Sequence, residues 1–510
     1  MDWGNEMRFY KKHRNAIFIS VLFLLSLAIR LYYLPSIPLT GDEAVYAEII
    51  DEFLRNPTLV PHFMGRIVAW KPVLGFAMYS AVIYAFRAML PQMPVEVAYR
   101  IPSLVFGVFS TLALYFLVRR LYNEEAAFLS SFIFTINVIS IAISEKLLLE
   151  TPVLFFLLLG VSLYIEGERD RKYMYYAGFV GALLFLTKSI IAFLLPALAI
   201  AYYIGNKKIG ESKETGRAFL LSLSAVPLAM LLYALIFFMS APIGKGGDIT
   251  ISYIYDLFFR VYGTSEQPTL LLNTVEFLKL TLPWSTLLFA GFLTLKLSRR
   301  EDRFIFIWLT LMLVLLGATQ FYHWYYLLVL PPFSAICAKS LITIMNRKFF
   351  LPVFLLLSIL SLPYIANPAF MDSHFITARI TSERAQVGLF LQGKTNMLSI
   401  TEQGIPETVF YKFHGESAPV YSGFEMKVTD PFSPGGYIAF TVSETALGIS
   451  QAKNLTNPQE VKSLITNSSN NRYVVMDAEV YRTYISSPLQ DYSLVFNSSE
   501  GSYAVLKKAT

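Results

Sequence analysis

The chain has 510 residues, of which 55% are hydrophobic and 15% are charged, and its formal net charge is +6. These proportions exclude a single soluble domain with a polar surface, because about a quarter of the residues in such domains are charged. They indicate instead a chain that lies largely in a membrane. The single cysteine, Cys337, lies in an apolar stretch, which excludes a disulfide framework and a cysteine metal site.

Apolar segments close to the roughly 20 residues needed to cross a bilayer recur from Ile17 to Tyr364. Short basic loops separate them, and such loops are expected in the cytoplasm. Because topology explains the positive charge, nucleic acid is not expected as a partner. Counting two crossings between consecutive basic loops predicts a polytopic α-helical membrane protein with about 11 to 13 transmembrane helices. The basic loops are the N-terminus, 119–120, 169–172, 207–217, 296–303 and 347–348.

The first interval departs from this count, because three apolar segments lie between Arg14 and Arg119, near residues 16–34, 73–90 and 101–118. The middle segment is interrupted by Arg87 and flanked by prolines. We therefore expect it to lie in the outer interface, which leaves about eleven crossings. An odd number of crossings predicts that the end of the chain lies outside the cytoplasm.

The chain changes character at about Phe370, where the sequence becomes polar and rich in turn residues. Alternating apolar residues at Tyr473 to Met476 and Ser493 to Phe496 predict strands. We expect a transmembrane catalytic domain at 1–368, with an external loop at 35–100, and a small extracytoplasmic soluble α/β domain at 369–510.

The first external loop carries an acidic pair, Asp42 and Glu43, at the expected start of a short surface helix. Thr40 and Glu43 match a capping box, so a purely structural role is open for Glu43. Asp42 in the first turn is favoured by the helix dipole, which keeps a carboxylate ionised as a general base requires. For Asp42 the structural and catalytic interpretations weigh about equally.

Further polar residues fall on the same predicted outer side, at turns that are distant in sequence. Lys71 follows Trp70 and suits a phosphate, although an interfacial lysine beside an aromatic also occurs without function. A purely structural role is also open for two of them: Glu150 as a helix cap and Lys188 as the marker of a helix boundary. His323 and Tyr326 belong to a His-Trp-Tyr-Tyr stretch that also suits an aromatic belt. Convergence of such groups predicts a site at the outer membrane boundary.

The chain has no Asp-x-Asp pair for a metal-bound nucleotide sugar, no glycine-rich phosphate motif and no histidine grouping that suggests zinc. We therefore predict neither a metal nor a cofactor. A donor that enters through the membrane, with a lipid phosphate as leaving group, fits the remaining groups.

In this order along the chain, the motifs resemble those of GT-C glycosyltransferases, most closely protein O-mannosyltransferases and lipid A aminoarabinose transferases. The resemblance covers about Ile17 to Pro332. Its motifs are the acidic pair, Lys71-Pro72-Val73-Leu74, Arg100-Ile101-Pro102-Ser103, Glu150-Thr151, Leu186-Thr187-Lys188-Ser189 and His323-Trp324-Tyr325-Tyr326-Leu327.

The resemblance implies the GT-C fold and transfer of a monosaccharide from a polyprenyl phosphate to a protein, lipid or glycan acceptor, with inversion. Asp42 matches the family's catalytic base, Glu43 its neighbour, and Glu150 a second acidic residue that is usually aspartate in relatives. Lys71 matches the residue near the donor phosphate. The predicted donor phosphate-binding set is Lys71, Lys188, His323, Tyr326 and Arg66.

A transporter or flippase of a lipid-linked sugar is the alternative. External carboxylates and helix-end charges suit it as well, but it would show internal repeats or ionisable residues near the membrane midplane, and the sequence shows neither clearly.

Overall fold

The computed structural model describes residues 3–34, 38–39, 41–63, 66–68, 71–204, 213–240, 270–318, 323–344, 347–366, 378–392, 397–401, 414, 438–442, 473–477, 492–497 and 503–508. The described residues are mostly helical. The helices are α1 Trp3–Tyr33, α2 Asp42–Arg55, α3 Leu74–Met89, α4 Val95–Leu121, α5 Glu124–Thr135, α6 Val138–Ser144, α7 Glu150–Glu166, α8 Lys172–Lys188, α9 Leu194–Tyr203, α10 Lys213–Ser240, α11 Leu270–Leu280, α12 Ser285–Thr294, α13 Arg300–Ala318, α14 Leu330–Ile344, α15 Arg347–Ala366 and α16 Ala378–Phe390. Two 3₁₀ helices span Ser189–Phe193 and His323–Leu328.

The chain forms two compact units. The first contains residues 1–35, 59–61 and 68–375, and the second contains 36–58, 62–67 and 376–510. Part of the first predicted loop, including α2, therefore groups with the C-terminal segment. The domain division at 368/369 stays a prediction.

Within the first unit, four helices are long and apolar enough to cross a membrane: His13–Tyr32, Val95–Leu121, Lys172–Tyr203 and Glu214–Ser240. The bent pairs α5–α6 (62°) and α11–α12 (109°) raise the number to six among the described residues if each counts as one span. The expected total of about eleven crossings stays a prediction. Helix α3 has 16 residues, or about 24 Å, which is shorter than a hydrocarbon core of roughly 30 Å. Its interfacial position stays a prediction.

Charged and polar residues at the turn between α4 and α5 connect three helices of the first unit. Arg119 and Arg120 close α4, where the helix dipole favours cations. Asn123 then caps α5 by accepting a 2.8 Å hydrogen bond from the Ala126 amide. Glu124 in the first turn of α5 forms ion pairs with Arg14 at 2.7 Å and Arg119 at 3.2 Å. This turn ties α1, α4 and α5 together.

The second unit contains a two-stranded ribbon and a five-stranded sheet. Strands β1 His62–Phe63 and β2 Arg66–Ile67 are antiparallel. The sheet has the order β4-β3-β5-β7-β6, and only the β3–β5 pair is parallel. Its strands are β3 Met397–Thr401, β4 Ile438–Val442, β5 Tyr473–Asp477, β6 Tyr492–Asn497 and β7 Tyr503–Lys508. Phe390 of α16 stacks on Phe496 at a ring distance of 4.6 Å, so a helix covers one face of the sheet.

Strands β5 and β6 confirm the two strands predicted from alternating residues. The N-cap of α2 is Gly41, which has no side chain to form a capping bond, whereas the predicted N-cap Thr40 lies outside the described residues. Gly41 has a φ of 40°, a backbone angle that glycine tolerates best. Helix α4 begins at Val95, ahead of the predicted start near residue 101, with Pro102 inside the helix. Membrane helices tolerate such prolines because neighbouring groups satisfy the freed carbonyl.

Close packing at Gly107 gives a test of the bundle. A Cβ added there would lie 2.4 Å from Ser144 Oγ and 2.9 Å from Arg30 Nε. Gly107→Ala is therefore expected to destabilise the protein by about 1–3 kcal/mol, because α4 must move away from its neighbours. Thermal unfolding of the detergent-purified protein measures this, with Ser224→Ala on the exposed face of α10 as control. An unchanged midpoint for Gly107→Ala would contradict the packing.

Candidate functional site

The candidate site in the first unit begins where two apolar helices end in charged residues. Helix α7 begins at Glu150, and its N-cap is Leu149, which makes no side-chain capping bond. Helix α8 ends at Lys188, where the backbone of Ser189 has a φ of 43° and turns the chain into a 3₁₀ helix. A helix N-terminus favours a carboxylate and a C-terminus favours a cation, so both charges suit their positions.

Glu150 and Lys188 form an ion pair in the interior of the first unit. Glu150 is 1% exposed and Lys188 is 7% exposed. The Lys188 ammonium also lies 4.9 Å from the centre of the Tyr325 ring, which brings the 3₁₀ helix His323–Leu328 to the pair. The second carboxylate oxygen of Glu150, Oε2, is buried and has no hydrogen-bond partner among the described residues. The pair thus places the Lys188 ammonium beside an aromatic ring and leaves Glu150 Oε2 as an acceptor without a partner among the described residues.

The start of α3 packs against the same two helix ends. A Cβ added at Gly75 would lie 2.8 Å from Leu149 Cδ2 and 3.3 Å from the Thr187 carbonyl oxygen. Leu149 and Thr187 are the residues immediately before Glu150 and Lys188. Lys71 precedes Gly75 by four residues and is half-buried. The first unit therefore brings the segment that carries Lys71 to the neighbourhood of the Glu150–Lys188 pair.

A second group of buried charges follows α6. Arg30 and Arg100 are completely buried, and Glu145 is 5% exposed. Arg30 donates to Ser26 Oγ at 2.6 Å and to Ser140 Oγ at 2.7 Å. Burial raises the pKa of the Glu145 carboxyl well above its usual range, and the charges on Arg30 and Arg100 oppose that shift. Glu145 lies at the start of the segment that leads to Glu150.

The acidic pair of the first loop lies in the second unit, in the first turn of α2. The Asp42 side chain is exposed, whereas Glu43 is 1% exposed. Eight residues of α2 are buried, so it is more enclosed than the predicted surface helix. The tail contributes His414, whose Nδ1 lies 2.9 Å from Asp51 Oδ2 and thus ties α2 to the C-terminal segment of the same unit.

Three further predicted residues have other surroundings. Arg66 lies in β2, where it is the strand partner of Phe63 in β1. His323 is the first residue of the 3₁₀ helix, and its side chain lies outside the described structure. Tyr326 is fully buried and donates to the Asn273 carbonyl at 2.9 Å, so its hydroxyl is engaged within the first unit. The neighbouring Tyr325, rather than Tyr326, lies over Lys188.

Comparisons with known proteins show which proteins the chain is similar to. Residues 77–237 match the family described as dolichyl-phosphate-mannose-protein mannosyltransferase. The solved structure of ArnT from Cupriavidus metallidurans bound to undecaprenyl phosphate is similar, with a TM-score of 0.65, 14% identity, and coverage of 96% of this chain and 97% of that one. The chain has the GT-C fold. The predicted resemblance to protein O-mannosyltransferases and aminoarabinose transferases is confirmed.

Two other proteins extend the comparison. The archaeal oligosaccharyltransferase AglB from Archaeoglobus fulgidus, solved with an inhibitory peptide and a dolichol-phosphate, gives a TM-score of 0.54 at 15% identity over 97% of this chain and 74% of that one. An uncharacterized protein of Aquifex aeolicus is 23% identical over 335 residues, which are 65% of this chain and 63% of that protein. With its candidate spans, the GT-C chain is a membrane protein.

The predicted set of site residues includes neither Tyr325 nor Tyr79. Tyr325 carried a signal, since it lies within the predicted His-Trp-Tyr-Tyr motif. Tyr79, in contrast, is one aromatic residue among many in an apolar segment. Its hydroxyl nevertheless donates to the Leu148 carbonyl at 2.7 Å, two residues before Glu150.

The buried ion pair gives a test that does not depend on activity. Lys188→Met leaves the Glu150 carboxylate buried without its cation, and removing one partner of such a pair costs about 3–5 kcal/mol. The double variant Glu150→Gln/Lys188→Met removes both charges and is expected to recover much of the lost stability. Thermal unfolding in detergent measures both variants. A double variant less stable than Lys188→Met would contradict the pairing.

Proposed function

We propose that this chain is an integral membrane glycosyltransferase that moves a monosaccharide from a polyprenyl phosphate to a lipid, glycan or protein acceptor. The transfer takes place on the extracytoplasmic side, inverts the anomeric carbon and uses no metal. The observation that carries this proposal is the buried Glu150–Lys188 pair beside Tyr325, within a GT-C fold. Buried charges at the ends of apolar helices are costly and mark functional sites in membrane proteins.

The proposed reaction is a single displacement. The Asp42 carboxylate accepts the proton of the acceptor hydroxyl as its oxygen forms a bond to the anomeric carbon. The bond from that carbon to the phosphate oxygen breaks at the same time, and its electron pair stays on the departing polyprenyl phosphate. Attack from the face opposite the leaving group inverts the carbon, so no covalent intermediate with the protein is needed.

The departing phosphate gains charge that nearby donors must stabilise. The proposal assigns this role to Lys71, Lys188, Arg66 and His323. The predicted Tyr326 is left out of it, because its only hydroxyl hydrogen is donated to the Asn273 carbonyl. An ammonium has three N–H donors, so Lys188 can serve the Glu150 carboxylate and a phosphate oxygen together. Glu150 acts as the second acidic residue, and Glu43 as the neighbour of the base. The buried Oε2 atom of Glu150 suits a hydroxyl of the substrate.

A transfer assay distinguishes an enzyme from a transporter of lipid-linked sugars. Purified protein is incubated in detergent with radiolabelled polyprenyl-phosphate sugars and a crude membrane fraction as acceptor. An enzyme moves label from the donor to a new product, whereas a transporter leaves it on the donor. Failure to move label from any polyprenyl-phosphate sugar would overturn the proposal.

Asp42→Asn tests the proposed base. The amide has no basic lone pair at neutral pH, so transfer is expected to fall by about 10²–10⁴-fold. Expression and binding of the donor should stay near wild type, because the exposed side chain contributes little to packing. The control is Asp170→Asn, which removes a partly exposed carboxylate between α7 and α8 that is paired with Lys172. Wild-type transfer by Asp42→Asn would reject the assignment.

Lys71→Ala tests the proposed phosphate contact. Loss of the ammonium removes a charge-assisted hydrogen bond worth about 1.5–3 kcal/mol, so the apparent affinity for the donor should fall by roughly 10- to 100-fold. Titration of the polyprenyl-phosphate donor measures this. Lys296→Ala removes an exposed lysine and serves as control. Unchanged donor affinity in Lys71→Ala would count against the role.

A further inference from the structure

The buried hydroxyl of Tyr79 lies at the junction of four segments of the first unit. It donates to the Leu148 carbonyl at 2.7 Å, lies 2.9 Å from Ser103 Oγ and lies 3.2 Å from Thr151 Oγ1. Tyr79 comes from α3, Ser103 from α4, and Thr151 from the first turn of α7, whereas Leu148 lies between α6 and α7. We name Tyr79 and Ser103 the hydroxyl clamp.

The clamp satisfies both polar backbone groups of Leu148. The Leu148 amide donates to the Lys146 carbonyl at 2.8 Å and also to Ser103 Oγ at 3.3 Å, and its carbonyl accepts the Tyr79 hydroxyl. Residues 146–149 belong to neither helix, so their backbone groups lack a regular helical ladder. Buried backbone groups need partners, and for the Leu148 carbonyl the hydroxyl groups of two other helices supply them. The position of this connection therefore depends on α3 and α4.

Glu150 follows the clamped residue by two positions. Its carboxylate is held on one side by Lys188, and the backbone that carries it is held by the clamp. We propose that Tyr79, supported by Ser103, is a positioning residue that sets the Glu150 carboxylate against Lys188 through the backbone of Leu148. The expected effect of Tyr79 on transfer rests on the proposed function. Its coupling to Glu150 can be measured without any activity.

The first experiment uses Tyr79→Phe, which removes only the hydroxyl. Misplacement of a reacting group by about 1 Å can cost 10²-fold in rate, so we expect kcat to fall by roughly 10- to 100-fold. The KM for the donor should change less than kcat, because the clamp acts through the backbone before Glu150 and is not among the proposed phosphate-binding residues. Tyr203→Phe is the matched control, since it also loses a buried hydroxyl that donates to a backbone carbonyl, that of Tyr164, at 2.6 Å. This control is expected to keep wild-type kcat.

The second experiment is a double-mutant cycle of Tyr79→Phe with Glu150→Gln. If Tyr79 acts through Glu150, the loss caused by Tyr79→Phe should shrink to less than about twofold once Glu150→Gln is present. The same cycle is measured in the thermal unfolding midpoint, where the two shifts should not add. The shifts of Tyr203→Phe and Glu150→Gln should add, because these residues share no partner.

The outcomes separate the positioning role from the proposed function. Equal transfer by Tyr79→Phe and Tyr203→Phe, or additive midpoint shifts for Tyr79→Phe and Glu150→Gln, would overturn the positioning role. If the wild-type protein moves no label, the proposed function fails, and the midpoint cycle alone decides whether the clamp holds Glu150. Non-additive midpoints would then still support the clamp.

Discussion

The constraint on which the first unit depends is the burial of the Glu150–Lys188 pair at the ends of α7 and α8. Removing two charges from water is expensive, and their attraction offsets this cost only when the geometry is held. The helix ends supply part of that geometry, because α7 presents its N-terminus and α8 its C-terminus. Tyr325 adds a ring beside the ammonium. A bundle of apolar helices has little else to fix a carboxylate in one position.

Buried hydroxyl groups supply partners to irregular backbone and to buried charges in the first unit. Ser103 and Tyr79 supply partners for the irregular backbone before Glu150. Ser26 and Ser140 serve the buried Arg30 guanidinium in the same way. Hydroxyl groups suit this task, since each is both donor and acceptor and costs little volume between closely packed helices. The polar groups of the bundle thus form local networks that hold charged residues at helix ends.

The sequence predicted the elements that depend on local patterns, and missed the contacts that depend on distant residues. Apolar segments and flanking charges were sufficient to place α3, the start of α7 and the end of α8, and alternation predicted β5 and β6. The pairing of Glu150 with Lys188 joins residues far apart, so no local spacing reveals it. Tyr79 is hidden among other aromatic residues of an apolar segment. The N-cap at Gly41 was not predicted either, because its positive φ depends on the backbone and not on a capping side chain.

The first turn of α2 separates two carboxylates that the sequence presents as a pair. The N-cap is Gly41, and the Glu43 side chain two residues later is almost fully buried. Asp42 lies in the same first turn, but its side chain is exposed. A general base must be both ionised and within reach of the hydroxyl whose proton it accepts. Of these two residues, exposure therefore favours Asp42 as the base and leaves Glu43 as a buried neighbour.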